Sequence, residues 1–193
     1  MGWLIAKRFA ELFEKNLDPS GSITNIPIEH NKIHQGLGFE TDSFITLTGQ
    51  TPKYVLVKTN GCFSHFKELI VIAEKNDVLL TAFRDPVISN DGDPLDYSNS
   101  NENFHGIELA NVDLFNDPTV TEEGEMIRGS RKYLPGLEGQ GQTVGGGQYA
   151  TDWERVLKPN SLYLRKLERL EGTGECRVLL HYNWYEIKVG DCE

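Results

Sequence analysis

Seven short segments limit what this chain can fold into. Phe44 to Thr48, Lys53 to Thr59, Glu68 to Ala73, Val78 to Phe83, Ile107 to Phe115, Ser161 to Leu167 and Glu175 to Tyr185 are rich in Val, Ile, Leu, Thr and aromatics, with turn clusters between them. Such side chains suit a pleated, half-buried surface, so each segment reads as a strand. A weaker segment at Glu125 to Tyr133 brings the total to about eight, the number used by a jelly-roll sandwich. Tyr54-Val55-Leu56-Val57 and Val178-Leu179-Leu180 are apolar at successive positions. Such strands are either central in a sandwich or face another subunit. The expected fold is mainly β, a jelly-roll-like antiparallel β-sandwich.

The first residues follow a different period. Ile5, Phe9, Leu12 and Phe13 recur at helical spacing while Lys7, Arg8, Glu11, Glu14 and Lys15 fill the other side, which predicts a short amphipathic helix over residues 3–15. Asp18-Pro19-Ser20-Gly21-Ser22 is turn and linker chemistry and should end it. The division expected is an N-terminal helix-and-linker arm, residues 1–28, and a β-sandwich domain, residues 29–193. A helix this short is marginal alone, so Trp3, Leu4, Ile5, Phe9, Leu12 and Phe13 need a surface to cover them. That surface is either their own domain or a neighbouring subunit or partner.

One internal repeat stands out. Phe83-Arg84-Asp85-Pro86-Val87-Ile88-Ser89-Asn90-Asp91-Gly92-Asp93-Pro94-Leu95 lines up with Phe115-Asn116-Asp117-Pro118-Thr119-Val120-Thr121-Glu122-Glu123-Gly124-Glu125-Met126-Ile127 at an offset of 32 residues. In each copy an aromatic ends a strand, Asp-Pro forces a turn, and an acidic-Gly pair makes a second turn. The reading is two equivalent strand-exit excursions, one from each half of the sandwich.

Composition excludes several functions. With 29 acidic against 19 basic residues, the net charge of -10 repels nucleic-acid phosphates and anionic lipid alike, so neither nucleic acid nor membrane is expected as a partner. The apolar run Leu69-Ile70-Val71-Ile72-Ala73 is far below a membrane span. The opening Met1-Gly2-Trp3-Leu4-Ile5-Ala6 carries neither a basic n-region nor a myristoylation signal. Cys62, Cys176 and Cys192 are odd in number and widely spaced, which reads as free thiols made in a reducing cytoplasm.

The candidate chemistry is thin. Asp85, Asp91 and Asp93, and separately Asp117, Glu122, Glu123 and Glu125, offer hard oxygen ligands but not the spacing of a calcium loop. His30 and His34 would share a helical face, yet Pro27, Gly36 and Gly38 argue against a helix there and no third ligand is signposted. The Gly-rich stretch from Gly136 to Gln148 has no closing Gly-Lys-Ser/Thr and reads as a surface loop. No nucleophile elbow or metalloprotease signature occurs. The reading is non-enzymatic, with no catalytic residue, metal or cofactor.

Other stretches recur in an order that resembles a known group. They are Glu29-His30-Asn31-Lys32-Ile33-His34-Gln35-Gly36, the Phe-x-Asp-Pro excursion with Asp91-Gly92, and Tyr97-Ser98-Asn99-Ser100-Asn101-Glu102-Asn103. The Thr119 to Gly124 turn, the Gly-rich loop, Trp153 to Ser161 before Leu162-Tyr163-Leu164, and Asn183-Trp184-Tyr185-Glu186 follow. Over about residues 29 to 186 the chain resembles tailed-bacteriophage head decoration, or cement, proteins. The resemblance implies a β-sandwich virion structural protein on the capsid exterior, synthesised in the host cytoplasm. It binds the major capsid protein and neighbouring copies of itself, as a homo-oligomer on the particle. The arm is an addition to that pattern, and its apolar residues Trp3, Leu4, Ile5, Phe9, Leu12 and Phe13 are the candidate capsid-binding residues. The alternative is a tail- or fibre-associated module that recognises host carbohydrate, for which Tyr149 and Trp153 are the candidate aromatics, although Trp153 reads better as a core anchor at a strand start.

Overall fold

The computed structural model describes residues 28–73, 76–103, 110–136 and 154–187. The chain divides into two units, Met1–Asn31 and Lys32–Glu193. The expected helix over residues 3–15 and its six apolar residues lie outside the described residues, as do 137–153, which hold most of the Gly-rich loop with Tyr149 and Trp153.

The described part is an antiparallel β-sandwich. One sheet has five strands in the order β12-β3-β14-β1-β7: β12 (Arg155–Leu157), β3 (Phe63–Ala73), β14 (Glu175–Ile187), β1 (Gly38–Thr48) and β7 (Ser98–Asn99). The other has seven. Its main path is β10-β4-β13-β2-β8-β6: β10 (Glu125–Met126), β4 (Val78–Arg84), β13 (Leu162–Arg169), β2 (Lys53–Thr59), β8 (Val112–Asn116) and β6 (Asp93–Pro94); β11 (Lys132–Leu134) also pairs with β4. A separate two-stranded ribbon joins β5 (Val87–Asn90) to β9 (Thr119–Glu122). β2 and β14, the segments apolar at successive positions, are interior strands of their sheets.

The core is built by alternation, because residues two apart share a sheet face. Phe39, Ile45 and Leu47 of β1 and Cys176, Val178, Leu180, Tyr182 and Trp184 of β14 face Val55 and Val57 of β2, Val78 and Leu80 of β4, and Leu167 of β13 in one buried cluster. Trp184 stacks on Phe39 at 5.7 Å and on Phe66 at 6.0 Å. From the opposite sheet the buried Arg165 places its guanidinium 5.9 Å from the Phe66 ring centroid, a cation–π contact between the layers. Near the end of β14 the buried Glu186 carboxylate accepts bonds from the Asn111 backbone N–H (2.5 Å), Asn111 Nδ2 (2.8 Å) and Trp184 Nε1 (3.3 Å). A carboxylate inside a sandwich is tolerated only with its lone pairs met in this way, and the arrangement ties the approach to β8 onto β14.

Three expectations change. First, residues 28–34 form a helix, α1 (Ile28–His34). Gly36 ends this helix instead of forbidding it, and Pro27 lies outside the described residues. Gly36, at φ 74°, takes the left-handed position after the last turn, with Gly36 N–H bonded to Ile33 O and Leu37 N–H to Lys32 O, a Schellman stop. Second, Cys62 is disulfide-bonded, and its partner lies outside the described residues; Cys176 is buried and outside any disulfide. Spacing along the chain does not reveal which cysteines a fold brings together, so the free-thiol reading fails at Cys62. Third, the stretch read as one strand from Glu125 to Tyr133 is two short strands, β10 and β11. Between them Ser130 N–H bonds to Ile127 O across a turn with Gly129 at φ 73°.

The repeat is real, and its placement differs from the expectation. Both excursions leave the same seven-stranded sheet, from β4 and β8, and pair with each other as the β5–β9 ribbon. The two copies are related by an approximate two-fold axis through the β13–β2 pair. Leu164 lies opposite Leu56, Phe83 opposite Leu164, and Phe115 opposite Leu56, so one row across the sheet reads Phe-Leu-Leu-Phe. Asp85 and Asp117 take matching left-handed conformations, φ 54° and 52°. Asp85 N–H bonds to Leu162 O and Asp117 N–H to Tyr54 O; Leu95 N–H bonds to Leu114 O and Ile127 N–H to Ala82 O. Each return strand pairs with the other copy's outgoing strand, β6 with β8 and β10 with β4.

Glycine makes this reciprocal clasp possible. At Gly92 (φ 95°) an added Cβ would lie 2.1 Å from Asn116 O, and at Gly124 (φ 81°) 2.3 Å from Arg84 O. Each glycine therefore sits directly on the other copy's Asp-Pro turn. Gly92→Ala or Gly124→Ala should each destabilise by about 2–5 kcal/mol, from backbone strain of about 1–3 plus overpacking of about 1–3. Gly49→Ala, with similar φ but nothing within 4 Å, carries only the strain. Urea unfolding of the three variants checks this: equal losses at Gly92 and Gly49 would mean that the close approach contributes nothing.

Candidate interaction surface

The two outer faces of the sandwich differ. On the seven-stranded sheet Leu56 and Leu164 are fully buried although they lie outside the central core cluster. Pro86 and Pro118, which open the two ribbon strands, are also buried. Charge secures the clasp at equivalent points: Lys58 pairs with Asp91 at 3.1 Å, and Lys166 with Glu123 at 2.8 Å. Lys53–Asp117 at 2.7 Å and Arg84–Glu125 at 2.6 Å add two more. The acidic turns that could have suggested calcium are thus largely neutralised by lysine and arginine. Among the described residues no group of three or more His, Cys, Asp or Glu is placed to hold a metal ion. His30 and His34 are exposed on α1.

No described element covers the outer face of the five-stranded sheet. Phe44, in the middle of β1, is 73% exposed, and its neighbour across the ladder is the half-buried Leu179. Further along the same face the register brings Asp42 beside His181, then Glu40 beside Asn183 and Lys67, then Tyr185 beside His65 and Val156, then Ile187 beside Phe63. Val156 and Phe63 are exposed at 55% and 45%. The result is an apolar band at each end and a polar band between. Isolated exposed apolar residues are ordinary, but a strand-centre Phe continued by others on one face marks a contact surface.

The polar band is ordered. His181 Nδ1 lies 2.7 Å from Asp42 Oδ1. His65 stacks on Tyr185 at 4.7 Å and meets Glu154 through Nδ1, while Tyr185 O–H donates to the same Glu154 oxygen at 2.6 Å. Partial burial alone would raise the Glu154 carboxyl. The hydrogen bonds from Tyr185 and His65, with the nearby Lys67, outweigh it and hold the group below the ordinary carboxylate range. These residues form a hydrogen-bonded polar platform.

Sequence reasoning missed this face. The signal was present: with Phe39, Ile45 and Leu47 in phase on β1, Phe44 falls on the opposite face. The expected binding residues Trp3, Leu4, Ile5, Phe9, Leu12 and Phe13 lie outside the described residues. Comparison with protein-family profiles, with curated proteins and with solved structures finds no match to this chain. Among the described residues no helix is long and apolar enough to cross a membrane.

The clasp side has a measurable electrostatic signature. Tyr54 O–H donates to Glu123 at 2.8 Å; burial, then this bond, pushes the phenol up to about 12. Burial would raise Glu123, but Lys166 and Tyr54 hold it below its ordinary value. Because the folded Tyr54 pKa is raised, its contribution to stability is complete below the unfolded value of about 10 and is lost as pH climbs toward 12. Ultraviolet titration should show a late-titrating phenol that disappears in Tyr54→Phe and moves to lower pH in Glu123→Gln. A Tyr54 phenol that titrates like a free one would remove this link from the clasp.

Proposed function

We propose that this protein is a virion structural protein of the tailed-phage decoration type, with a jelly-roll sandwich that docks on an assembled shell through the open face of its five-stranded sheet. The observation that carries the reading is the exposed Phe44–Leu179 band on that face, opposite a face already occupied by the chain's own clasp. The order β12-β3-β14-β1 over β4-β13-β2 supports the jelly-roll assignment, since the first and last long strands pair and the second pairs with the next to last. The disulfide at Cys62 fits a particle exterior, where oxidation persists, and the net charge of -10 fits a surface away from packaged DNA.

Area argues for a second grip. Three long strands about 4.8 Å apart, over about ten residues of 3.4 Å, give a face of roughly 500 Å². A stable interface uses about 800 Å² per partner, so the face needs help. The N-terminal arm, residues 1–28, is the proposed source, with Trp3, Leu4, Ile5, Phe9, Leu12 and Phe13 gripping the shell or a neighbouring copy. A tethered second contact raises avidity without enlarging the first.

Phe44→Asp should leave the melting temperature of the isolated protein unchanged and weaken attachment to undecorated shells by about tenfold or more, since burying a Phe contributes about 1.5–3 kcal/mol. Deleting residues 1–22 should weaken attachment similarly. Full-affinity binding by Phe44→Asp would remove the face from the account. Glycan-array binding with no attachment to shells would assign the protein instead to a tail or fibre.

A further inference from the structure

A second site lies at the edge of the sandwich, where the open face ends at Val156. Here each sheet ends in a short edge strand, β10 on one and β12 on the other, and a cleft of about 520 Å³ opens beside them. That volume is in the range of specific ligand sites. Tyr163, Leu157 and Ile127 are among its apolar lining, and Met126 and Val156, 43% and 55% exposed, also line it.

The charge of the cleft opposes that of the chain. Arg84, Arg128, Arg155 and Lys158 line it against two carboxylates, Asp85 and Glu125, in a sequence where acidic residues exceed basic ones by 29 to 19. Glu125 is already engaged, accepting from Arg84 Nε at 3.0 Å and Nη2 at 2.6 Å. The lysines of the clasp, Lys53, Lys58 and Lys166, are all ion-paired, whereas Arg128 and Lys158 make no ion pair among the described residues.

Both unpaired cations stand on fixed backbone. Arg128 is in the turn closed by Ser130 N–H to Ile127 O, and buried Ser130 Oγ bonds both Ala82 N–H and Ala82 O. Lys158 N–H donates to Tyr163 Oη at 2.9 Å, and Lys158 O accepts from Thr59 Oγ1 at 2.6 Å. The fixed backbone holds the attachment points of both cations, which confines the ordering cost of binding to their side chains.

We propose that this cleft binds an extended acidic polypeptide segment of a partner. Each wall is a sheet edge: β10 pairs only with β4 and β12 only with β3 among the described residues. Edge strands offer main-chain groups to an added chain. The cations supply the preference for acidic side chains, and Met126 and Val156 accept apolar residues between them. The proposal does not depend on the phage reading.

The test uses the full-length protein and a fluorescein-labelled heptapeptide of alternating Glu and Val, with an alternating Lys and Val heptapeptide and inorganic phosphate as controls, followed by fluorescence anisotropy. The Glu peptide should bind, weaken as salt rises, and lose about tenfold or more in affinity in the Arg128→Glu/Lys158→Glu double variant. Both substitutions are on exposed side chains, and an unchanged melting curve confirms the fold. Equal binding of the Lys peptide, undiminished binding by the double variant, or no binding of the Glu peptide would each overturn the proposal. Displacement of the peptide by millimolar phosphate would also overturn it, in favour of a simple anion site.

Discussion

The reciprocal packing of two glycines on two Asp-Pro turns holds together the seven-stranded side of this protein. Gly92 lies on Asn116–Pro118 and Gly124 on Arg84–Asp85, at distances that no side chain permits. The sheet beneath follows the same two-fold relation, with β4 and β13 on one side and β2 and β8 on the other. Because each return strand pairs with the other copy's outgoing strand, neither excursion can form alone. The ribbon, the ion pairs at Lys58 and Lys166 and the short strands β6 and β10 depend on this mutual closure.

The clasp also divides the labour of the two faces. By covering Leu56 and Leu164 it occupies the outer surface of the seven-stranded sheet with the chain's own residues. Among the described residues the five-stranded sheet has no such cover, and its face keeps an exposed Phe44 and an ordered His-carboxylate band. Ion pairs on the clasp are partly exposed and individually worth little. Their matched placement at Asp91 and Glu123 serves the register of the ribbon more than its stability.

Much of the fold was legible in the sequence because alternation and turn chemistry are local. β2 was located at its observed bounds, the apolar runs of β2 and β14 marked them as central or subunit-facing strands, and the repeat was recognised from Phe-x-Asp-Pro and acidic-Gly. Its partnership was not legible: nothing within either copy says that the two leave one sheet and pair with each other. The same limit explains Cys62, whose bond depends on distant chain segments, and Glu186, which reads as a surface residue until Asn111 is brought beside it. At Gly36 the signal was present but was read as a breaker of a helix and not as its end. The open face escaped notice because Phe44 was counted with the strand's apolar residues although it lies out of phase with Ile45 and Leu47.

The central claim is that the uncovered face, and not the clasp, meets the partner. Hydroxyl-radical footprinting of the protein free and bound to purified shells tests it directly, because Phe44 on the open face and Val87 on the ribbon are both exposed and reactive when free. The account predicts that Phe44 labelling falls sharply on binding while Val87 labelling stays as it was. Protection of Val87 with Phe44 still fully reactive would contradict it.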